Sequence, residues 1–334
     1  MTEMLPPPRI AVLVPCLNEE AAIGKVVSDF RAALPSATVF VYDNNSKDRT
    51  AEVARAAGAV VRPERRPGKG SVVRRMFQDI DADVYVMVDG DDTYQASAAP
   101  ALVEKLLNDR LDMVVGRRVE THVDAYRGGH RLGNAVLTGL VRKLFGANIK
   151  DMLSGFRVFS RRFAKSFPST SREFEIETEL TVHAMQMKMA VAEVDTAYKE
   201  RPPGSFSKLR TFRDGWRILV TIMNLVRNER PLLFFSLIAM MLFALAGGLA
   251  LPLFWEYHRT GLVPRFPTAI LCSGIAVIGV IAVATGLILD LVAHVRRETK
   301  LLAYLQQPAP GAERDVANQT GGTTGAAPAV SAQA

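Results

Sequence analysis

Cysteine is nearly missing from this sequence: Cys16 and Cys272 are the two present among 334 residues. The second sits inside an apolar run, so no disulfide framework is expected, and neither cysteine has the spacing of a metal site. Charge is missing from two long stretches. Leu232 to Trp255 and Pro267 to Leu289 contain no Asp, Glu, Lys or Arg. Wound as helices at 1.5 Å per residue, these reach about 34–36 Å, against roughly 30 Å of hydrocarbon in a bilayer. Core helices of a soluble domain rarely stay this apolar for this long, so two membrane spans are predicted. The amino terminus, MTEMLPPPRI, has no basic segment leading into a long apolar core, so no cleaved signal is expected. No internal repeat is found.

What charge there is lies unevenly. The net value is +7, and residues 199–230, next to the first apolar stretch, hold eight Lys and Arg against three acids. Arg296, Arg297 and Lys300 follow the second stretch, whereas the loop between the two carries Arg259, Arg265 and Glu256. The positive-inside rule then puts the amino-terminal region and the tail on the cytoplasmic side of the membrane. A basic patch beside a bilayer points to anionic or phosphorylated lipid rather than to nucleic acid.

Before the spans, the chain alternates strand-like and helix-like patterns, the mark of an α/β fold with a mainly parallel sheet. RIAVLVP (9–15) reads as a buried strand, and 18–34 as a helix with Asn18 as its N-cap. Strands follow at 37–43, 59–61, 83–89 and 112–116. Helices are predicted over 48–58, 69–80, about 97–109 and roughly 129–145. Asn18, Asp43 and Asp89 all fall at the carboxyl ends of predicted strands, where open parallel sheets bind ligands. Phe212, Trp216, Leu219, Met223 and Val226 recur every three or four positions opposite arginines, the pattern of an amphipathic helix in a membrane interface. The Ala/Gly/Thr/Pro-rich tail beyond Gln307 reads as disordered.

Chemistry concentrates at VDGDDTY (88–94), with three aspartates in four residues. Carboxylates this close repel, and a divalent cation is the simplest compensation. By itself the stretch fits two patterns: an Asp-x-Asp metal clamp, or the Asp-x-Asp-x-Thr signature of haloacid-dehalogenase-like phosphatases with Asp89 as nucleophile. Around it stand LVPCLNEE (13–20), YDNNSKDRT (42–50), PGKG (67–70), DMLSGFRVFSRR (151–162), FEIETEL (174–180) and KERPPGSFSKLR (199–210). This ordered set resembles family 2 glycosyltransferases over about residues 9–230. The similarity is closest to the branch of dolichyl-phosphate mannose synthase and bacterial polyprenyl-phosphate glycosyltransferases. The phosphatase motif ends the first strand of its own fold, whereas here about three strands and three helices precede it. A transferase-like scaffold without catalysis is the third reading.

The resemblance implies a GT-A catalytic domain at 9–205 after a flexible start (1–8). Interface helices at 206–230, spans at 231–255 and 266–293, and a largely disordered tail at 294–334 complete the expected organisation. It implies sugar transfer, with inversion, from a nucleotide sugar to a polyprenyl or dolichyl phosphate for glycan or cell-envelope synthesis. VDGDDTY with DNNS resembles a subgroup using UDP-sugars such as UDP-GlcNAc or UDP-glucose, with GDP-mannose as the other donor to test. Asp89 and Asp91 are implied ligands of Mg²⁺ or Mn²⁺, which neutralises the departing diphosphate. Pro15, Asn18, Glu19 and Asp43 are implied around the nucleotide. Lys69 either approaches its phosphates or is a turn lysine. Asp151 is implied to face the transferred sugar, and Arg157 either joins it or serves as a structural partner of a buried acid. Glu175 and Glu177 either contact the sugar or end a helix. Arg117, Arg131, Arg201, Ser205 and Lys208 match positions that hold the acceptor phosphate, whose own negative charge makes a strong general base unnecessary. Some membrane relatives are tetramers, so a homo-oligomer is among the expectations. Three positions depart from the relatives: Asn44, where many have Asp; Thr93, where some have Gln; and the additional Asp92.

Overall fold

A computed structural model of the chain describes residues 7–120, 139, 149–168, 176–199, 220, 223–224 and 226–310. They fall into two compact units. One is the chain up to Leu209 together with the segment from Lys300 onward; the other is Arg210–Thr299.

The first unit is built on a seven-stranded sheet. Its elements run β1 (Ile10–Cys16), α1 (Glu20–Ala33), β2 (Thr38–Asp43), α2 (Thr50–Ala56), β3 (Val60–Pro63), α3 (Lys69–Asp79), β4 (Val84–Met87), a 3₁₀ turn (Ala96–Ala98), α4 (Ala99–Asn108), β5 (Met113–Glu120), β6 (Arg157–Ser160), α5 (Arg161–Ser166), α6 (Ile176–Gln186) and β7 (Val191–Tyr198). The sheet order is β3-β2-β1-β4-β6-β5-β7. Pairing is parallel except on the two sides of β6, which runs against both β4 and β5. The sheet is therefore mainly parallel, as predicted.

Strand composition explains why both faces of the sheet are covered. Side chains alternate across a strand, so Val12, Val14 and Cys16 face one side while Ala11 and Leu13 face the other. The first set joins Val39, Val41, Val84 and Val86 beneath α1 and α4. The second joins Tyr42, Tyr85, Met87 and Phe159 beneath α3, α5 and α6. A strand buried on both faces reads as an unbroken apolar run, which is what IAVLVPC shows. Helix α1 meets its layer through Ile23, Val26, Val27 and Phe30, one stripe at three- and four-residue spacing.

Several sequence expectations change at element ends. Asn18 is not the N-cap of α1. That position falls to Glu19, which makes no side-chain capping bond, while Asn18 takes a left-handed backbone with φ 52°. Apart from Gly139, which is helical, the predicted helix at 129–145 lies outside the described residues, as does most of the amphipathic 206–230 segment. The tail predicted from 294 begins as helix, because the second apolar helix continues to Leu305. Its last turns belong to the α/β unit. There Tyr304 donates its hydroxyl to Asp112 Oδ2 at 3.0 Å, and the Arg162 guanidinium lies 4.8 Å from the Tyr304 ring centre. Asp112 is buried just ahead of β5 and also accepts from Arg162, from Ser160 Oγ at 3.1 Å and from Ala190 N at 3.3 Å. Lys300 Nζ adds a bond to Gln186 Oε1 at 3.3 Å.

In the second unit, α7 (Pro231–Thr260) and α8 (from Phe266) are each long and apolar enough to cross a membrane. Along α8 the buried residues are Cys272, Gly279, Gly286 and Ala293, every seventh position. Small residues there allow close approach: a Cβ at Gly279 would stand 2.8 Å from the Phe243 ring, and one at Gly286 would stand 3.0 Å from Phe235 Cβ. The small residues of CSGIAVIG thus include Gly279 as part of a seam within the chain. Helix α7 starts at Pro231, which has no N–H to offer the preceding turn. Carbonyls just upstream are taken by α8 instead: Arg296 donates to Asn228 O at 2.9 Å and Arg297 to Glu229 O.

Candidate active site

Strands β2, β1 and β4 are parallel neighbours, so their carboxyl ends form one edge. That edge delivers Asp43, Asn18 with Glu19, and Asp89 with Asp91. Pro15 lies in the part of β1 that pairs with β2 beyond the reach of β4, whose partners stop at Leu13, so its missing N–H breaks no β4 bond. Cys16 reports the electrostatics of this edge: burial pushes its thiol well up, and the charges of Glu19, Asp43, Asp89 and Asp91 push it further. The thiol is thus held neutral within the apolar layer behind this edge.

The loops above the edge are laced together. Asn18 Oδ1 accepts from Lys47 N at 2.7 Å, and Asn18 N donates to Ser46 Oγ at 2.9 Å. Glu19 N donates to Thr50 Oγ1 at 2.9 Å. Asp43 Oδ2 accepts from Ser46 N at 3.4 Å, while Oδ1 is buried with no hydrogen-bond partner among the described residues. A buried carboxylate oxygen without a donor is costly and marks a place for one to arrive. Asn44 has a structural explanation. Its amide donates to Glu64 O at 2.8 Å and Arg66 O at 2.7 Å, and its oxygen accepts from Gly68 N at 2.8 Å. An aspartate has no hydrogens for the two carbonyls, so here the 64–68 loop requires the amide.

That loop ends at Gly68, whose φ of 105° only glycine adopts easily, and α3 then begins with Lys69. Lys69 Nζ lies 2.5 Å from Asp89 Oδ1 and 2.5 Å from Glu177 Oε1. Burial works to lower the lysine pKa, but the two carboxylates outweigh it and raise it, so the ammonium is fixed. Glu177, in the first turn of α6, thereby gains a definite partner; Glu175 lies outside the described residues.

Within VDGDDTY the three aspartates have three environments. Asp89 meets the ammonium of Lys69. Asp91 is buried, and its Oδ1 accepts from Thr93 Oγ1 at 2.6 Å. Asp92, with a left-handed φ of 57°, pairs with Lys25 at 3.1 Å and stands 4.0 Å from Lys199. Thr93 therefore orients Asp91, and Asp92 joins a peripheral ion pair. Among the described residues no three His, Cys, Asp or Glu side chains converge into a metal cage. Mg²⁺-type ions, however, are commonly held by one or two carboxylates together with substrate phosphates. Asp89 and Asp91 fit that mode, and Asp89 already receives a cation.

The SGFR segment closes on Asp89. A Cβ at Gly155 would stand 2.8 Å from Asp89 Cγ and 3.0 Å from Oδ1, with Oδ2 nearer still. Gly155 N donates to the Tyr94 hydroxyl at 2.8 Å, tying this loop to the last residue of VDGDDTY. Arg157 is fully buried. It donates to Ser154 O at 2.9 Å, Thr181 Oγ1 at 2.9 Å and Met152 O, so carbonyls and a hydroxyl take its hydrogen bonds. Burial lowers its pKa, against the opposing charges of Glu177 and Asp151.

Asp151 is held rather than open. Arg118 grips both its oxygens, Nε to Oδ2 at 2.8 Å and Nη2 to Oδ1 at 2.7 Å. Burial would raise the Asp151 pKa, but these bonds lower it below the usual carboxylate range. Arg118 was not among the residues singled out from the sequence. Neighbouring positions on a strand face opposite ways, so counting alternation from Val114 separates Arg118 from Arg117. Arg117, expected at a phosphate, pairs with Asp195 on β7 through two 2.6 Å bonds. Tyr94 and Tyr198 were missed as well; their rings sit 5.4 Å apart, with Arg118 5.5 Å from the Tyr198 ring centre. Arg131, Arg201, Ser205 and Lys208 lie outside the described residues.

Known proteins resemble this chain in sequence and fold. The family model described as Glycosyl transferase family 2 matches residues 11–167. The glycosyltransferase AglJ of Haloferax volcanii is 32% identical over 294 residues, covering 87% of this chain and 96% of its own. A dolichyl-phosphate hexose transferase of the same organism is 31% identical over 221 residues, 66% of this chain and 95% of its own. Among solved structures, glucosyl-3-phosphoglycerate synthase of Mycobacterium tuberculosis, in complex with Mn²⁺, UDP-glucose and phosphoglyceric acid, has a TM-score of 0.52. It covers 65% of this chain and 79% of its own at 23% identity, a likeness of fold.

Proposed function

The chain belongs to glycosyl transferase family 2, and from that premise we propose that it transfers a sugar from a nucleotide sugar to a polyprenyl or dolichyl phosphate at the cytoplasmic face of a membrane. Membership sets aside the phosphatase reading of VDGDDTY, and with it Asp89 as a nucleophile. One observation carries the proposal: an acidic edge built by Asp43, Asp89 and Asp91 in the same chain as two membrane-length apolar helices. The naming of a relative as a dolichyl-phosphate hexose transferase supports the acceptor class. A UDP-glucose complex of a protein sharing the fold supports a UDP-sugar donor, with UDP-GlcNAc as the other first choice and GDP-mannose third.

In this reading Asp89 and Asp91 hold Mg²⁺ or Mn²⁺, which when bound supplies positive charge to the departing diphosphate. Asp43 offers its unpartnered oxygen to a donor hydrogen of the nucleotide, beside Pro15, Asn18 and Glu19. Lys69 stands within the site as a cation for the same diphosphate. Asp151, oriented by Arg118, faces the transferred sugar. The acceptor phosphate is an anion at neutral pH, so its oxygen attacks the anomeric carbon without a strong general base. Arg131, Arg201, Ser205 and Lys208 hold that phosphate, with arginine forks suited to its oxygens, and Arg117 joins them only by leaving its pair with Asp195. In-line attack inverts the anomeric centre.

The test is direct. Membranes containing the chain are incubated with polyprenyl phosphate, Mn²⁺ and a panel of nucleotide sugars, and the lipid product is weighed by mass spectrometry. A sugar-phosphate lipid from one donor, lost in Asp91→Ala, is the expected result. No product with any donor overturns the reading.

A further inference from the structure

Lys69 occupies an oxygen of Asp89, one of the two carboxylates proposed to hold the metal. Its ammonium touches the Asp89 carboxylate and the Glu177 carboxylate at 2.5 Å each, with the lysine side chain 11% exposed. The lysine end of this arrangement is anchored. The backbone ahead of Lys69 is clamped, because Asn44 accepts from Gly68 N and donates to two carbonyls of the same loop. Gly155 lies against the Asp89 carboxylate, where a side chain in its place would press on both oxygens. Glu177 arrives from α6, 108 residues further along the chain, and contacts the same nitrogen. One carboxylate oxygen does not hold an ammonium and a divalent ion together at contact distance, since the two cations repel. With the backbone ahead of Lys69 clamped, the part of the lysine free to move is its four-carbon stem.

We propose that Lys69 is the resident counter-ion of Asp89, displaced when a divalent cation binds, and that Glu177 is a positioning residue that keeps the displaced ammonium beside the site. This rests on the assignment of Asp89 and Asp91 as metal ligands under Proposed function. The arrangement keeps the acidic edge neutralised before any donor arrives, and it makes the free chain a poor ligand for a bare metal ion. A nucleotide diphosphate reverses the balance, because it brings oxygens for the metal and a second partner for the ammonium.

The experiment measures Mn²⁺ uptake by the full-length protein in detergent, from the loss of the free-ion electron paramagnetic resonance signal, with and without UDP. Wild type is expected to bind Mn²⁺ weakly alone and more tightly with UDP. Lys69→Gln is expected to bind Mn²⁺ without UDP at least about tenfold more tightly than wild type. Lys69→Arg keeps the cation and is expected to stay within about threefold of wild type. Lys25→Gln is the control, since it removes the same charge from beside Asp92; general electrostatics would make it as effective as Lys69→Gln, whereas displacement at Asp89 predicts a change below about twofold. Unchanged or weaker binding in Lys69→Gln, or an equal gain in Lys25→Gln, overturns the inference. If Lys69→Gln does not fold, Lys69→Arg and Glu177→Gln decide. Glu177→Gln leaves the ammonium to Asp89 alone and is expected to weaken Mn²⁺ binding without UDP, so a gain there, or tight binding in Lys69→Arg, overturns it. A wild-type chain that takes up no Mn²⁺ even with UDP overturns the metal assignment itself, a separate result.

Discussion

Replacing Gly155 by alanine adds one methyl group and aims it at Asp89. The Gly155 backbone lies outside the left-handed region, so alanine itself is not strained there. All of the cost falls on the neighbour. The new Cβ would stand 2.8 Å from Asp89 Cγ and closer to Oδ2, whereas ordinary contact begins near 3.4 Å. The carboxylate has to retreat by roughly 1 Å, and a displacement of that size in a reacting constellation costs on the order of 10²-fold in rate. Overpacking of a filled site costs about 1–3 kcal/mol in stability, too little to unfold a domain with two full apolar layers. Gly155→Ala is therefore expected to unfold at a slightly lower temperature and to lose about 10²-fold in kcat/KM for transfer to polyprenyl phosphate. Both are read on the same preparation, by thermal unfolding and by initial rates with the productive donor. An alanine variant within threefold of wild-type activity would refute the argument that Gly155 exists to seat Asp89.

Two further predictions concern stability. Asn44→Asp loses both donors to the carbonyls of Glu64 and Arg66 and buries a carboxylate against them. It is expected to destabilise the α/β unit by about 2–4 kcal/mol in denaturant unfolding, and a change below about 0.5 kcal/mol would contradict the structural role given to the amide. His183 is buried against Phe163 and Phe167, with Nε2 3.2 Å from Ser166 Oγ and Nδ1 without a hydrogen-bond partner among the described residues. Burial, and then the charge of Lys300, lowers its pKa from 6.5 to about 3. The folded chain thus holds the neutral ring while the unfolded chain takes up a proton. This contribution is fully present above about pH 6.5 and is lost as pH falls from there towards about 3, at up to roughly 1.4 kcal/mol per pH unit. His183→Phe keeps an aromatic ring and removes the proton, so its unfolding free energy should fall less than that of wild type across this window; parallel curves would contradict the assignment.

The sequence made the layers legible because hydrophobic periodicity is local. Alternation in IAVLVPC and the 3.6-residue stripe on α1 each need only a few neighbouring letters. Residues at the ends of parallel strands were legible for the same reason, since a strand ending in Asp43 or followed by Asp89 can be read without knowing its neighbours. Partners were not. Asp151 and Arg118 lie 33 residues apart, and Lys69 and Glu177 lie 108 apart. Nothing in either stretch shows that one will neutralise the other. Strand β6 escaped notice because it is four residues long and follows a loop, so RVFS reads as the end of a motif rather than as an antiparallel insertion. Asn44 looked like a departure in nucleotide recognition, because a family pattern records which letter stands at a position and not which carbonyls it serves.

Asp112 has a consequence for how the molecule is made. Ser160 and Arg162 follow it by about fifty residues, but Tyr304 follows it by 192. The α/β unit is thus discontinuous in the chain, and the ribosome must synthesise both apolar helices before the last partner of this carboxylate exists. A nascent chain stalled after β7 has its sheet but lacks the closing turn of α8, leaving its maturation bound to the completion of the hairpin.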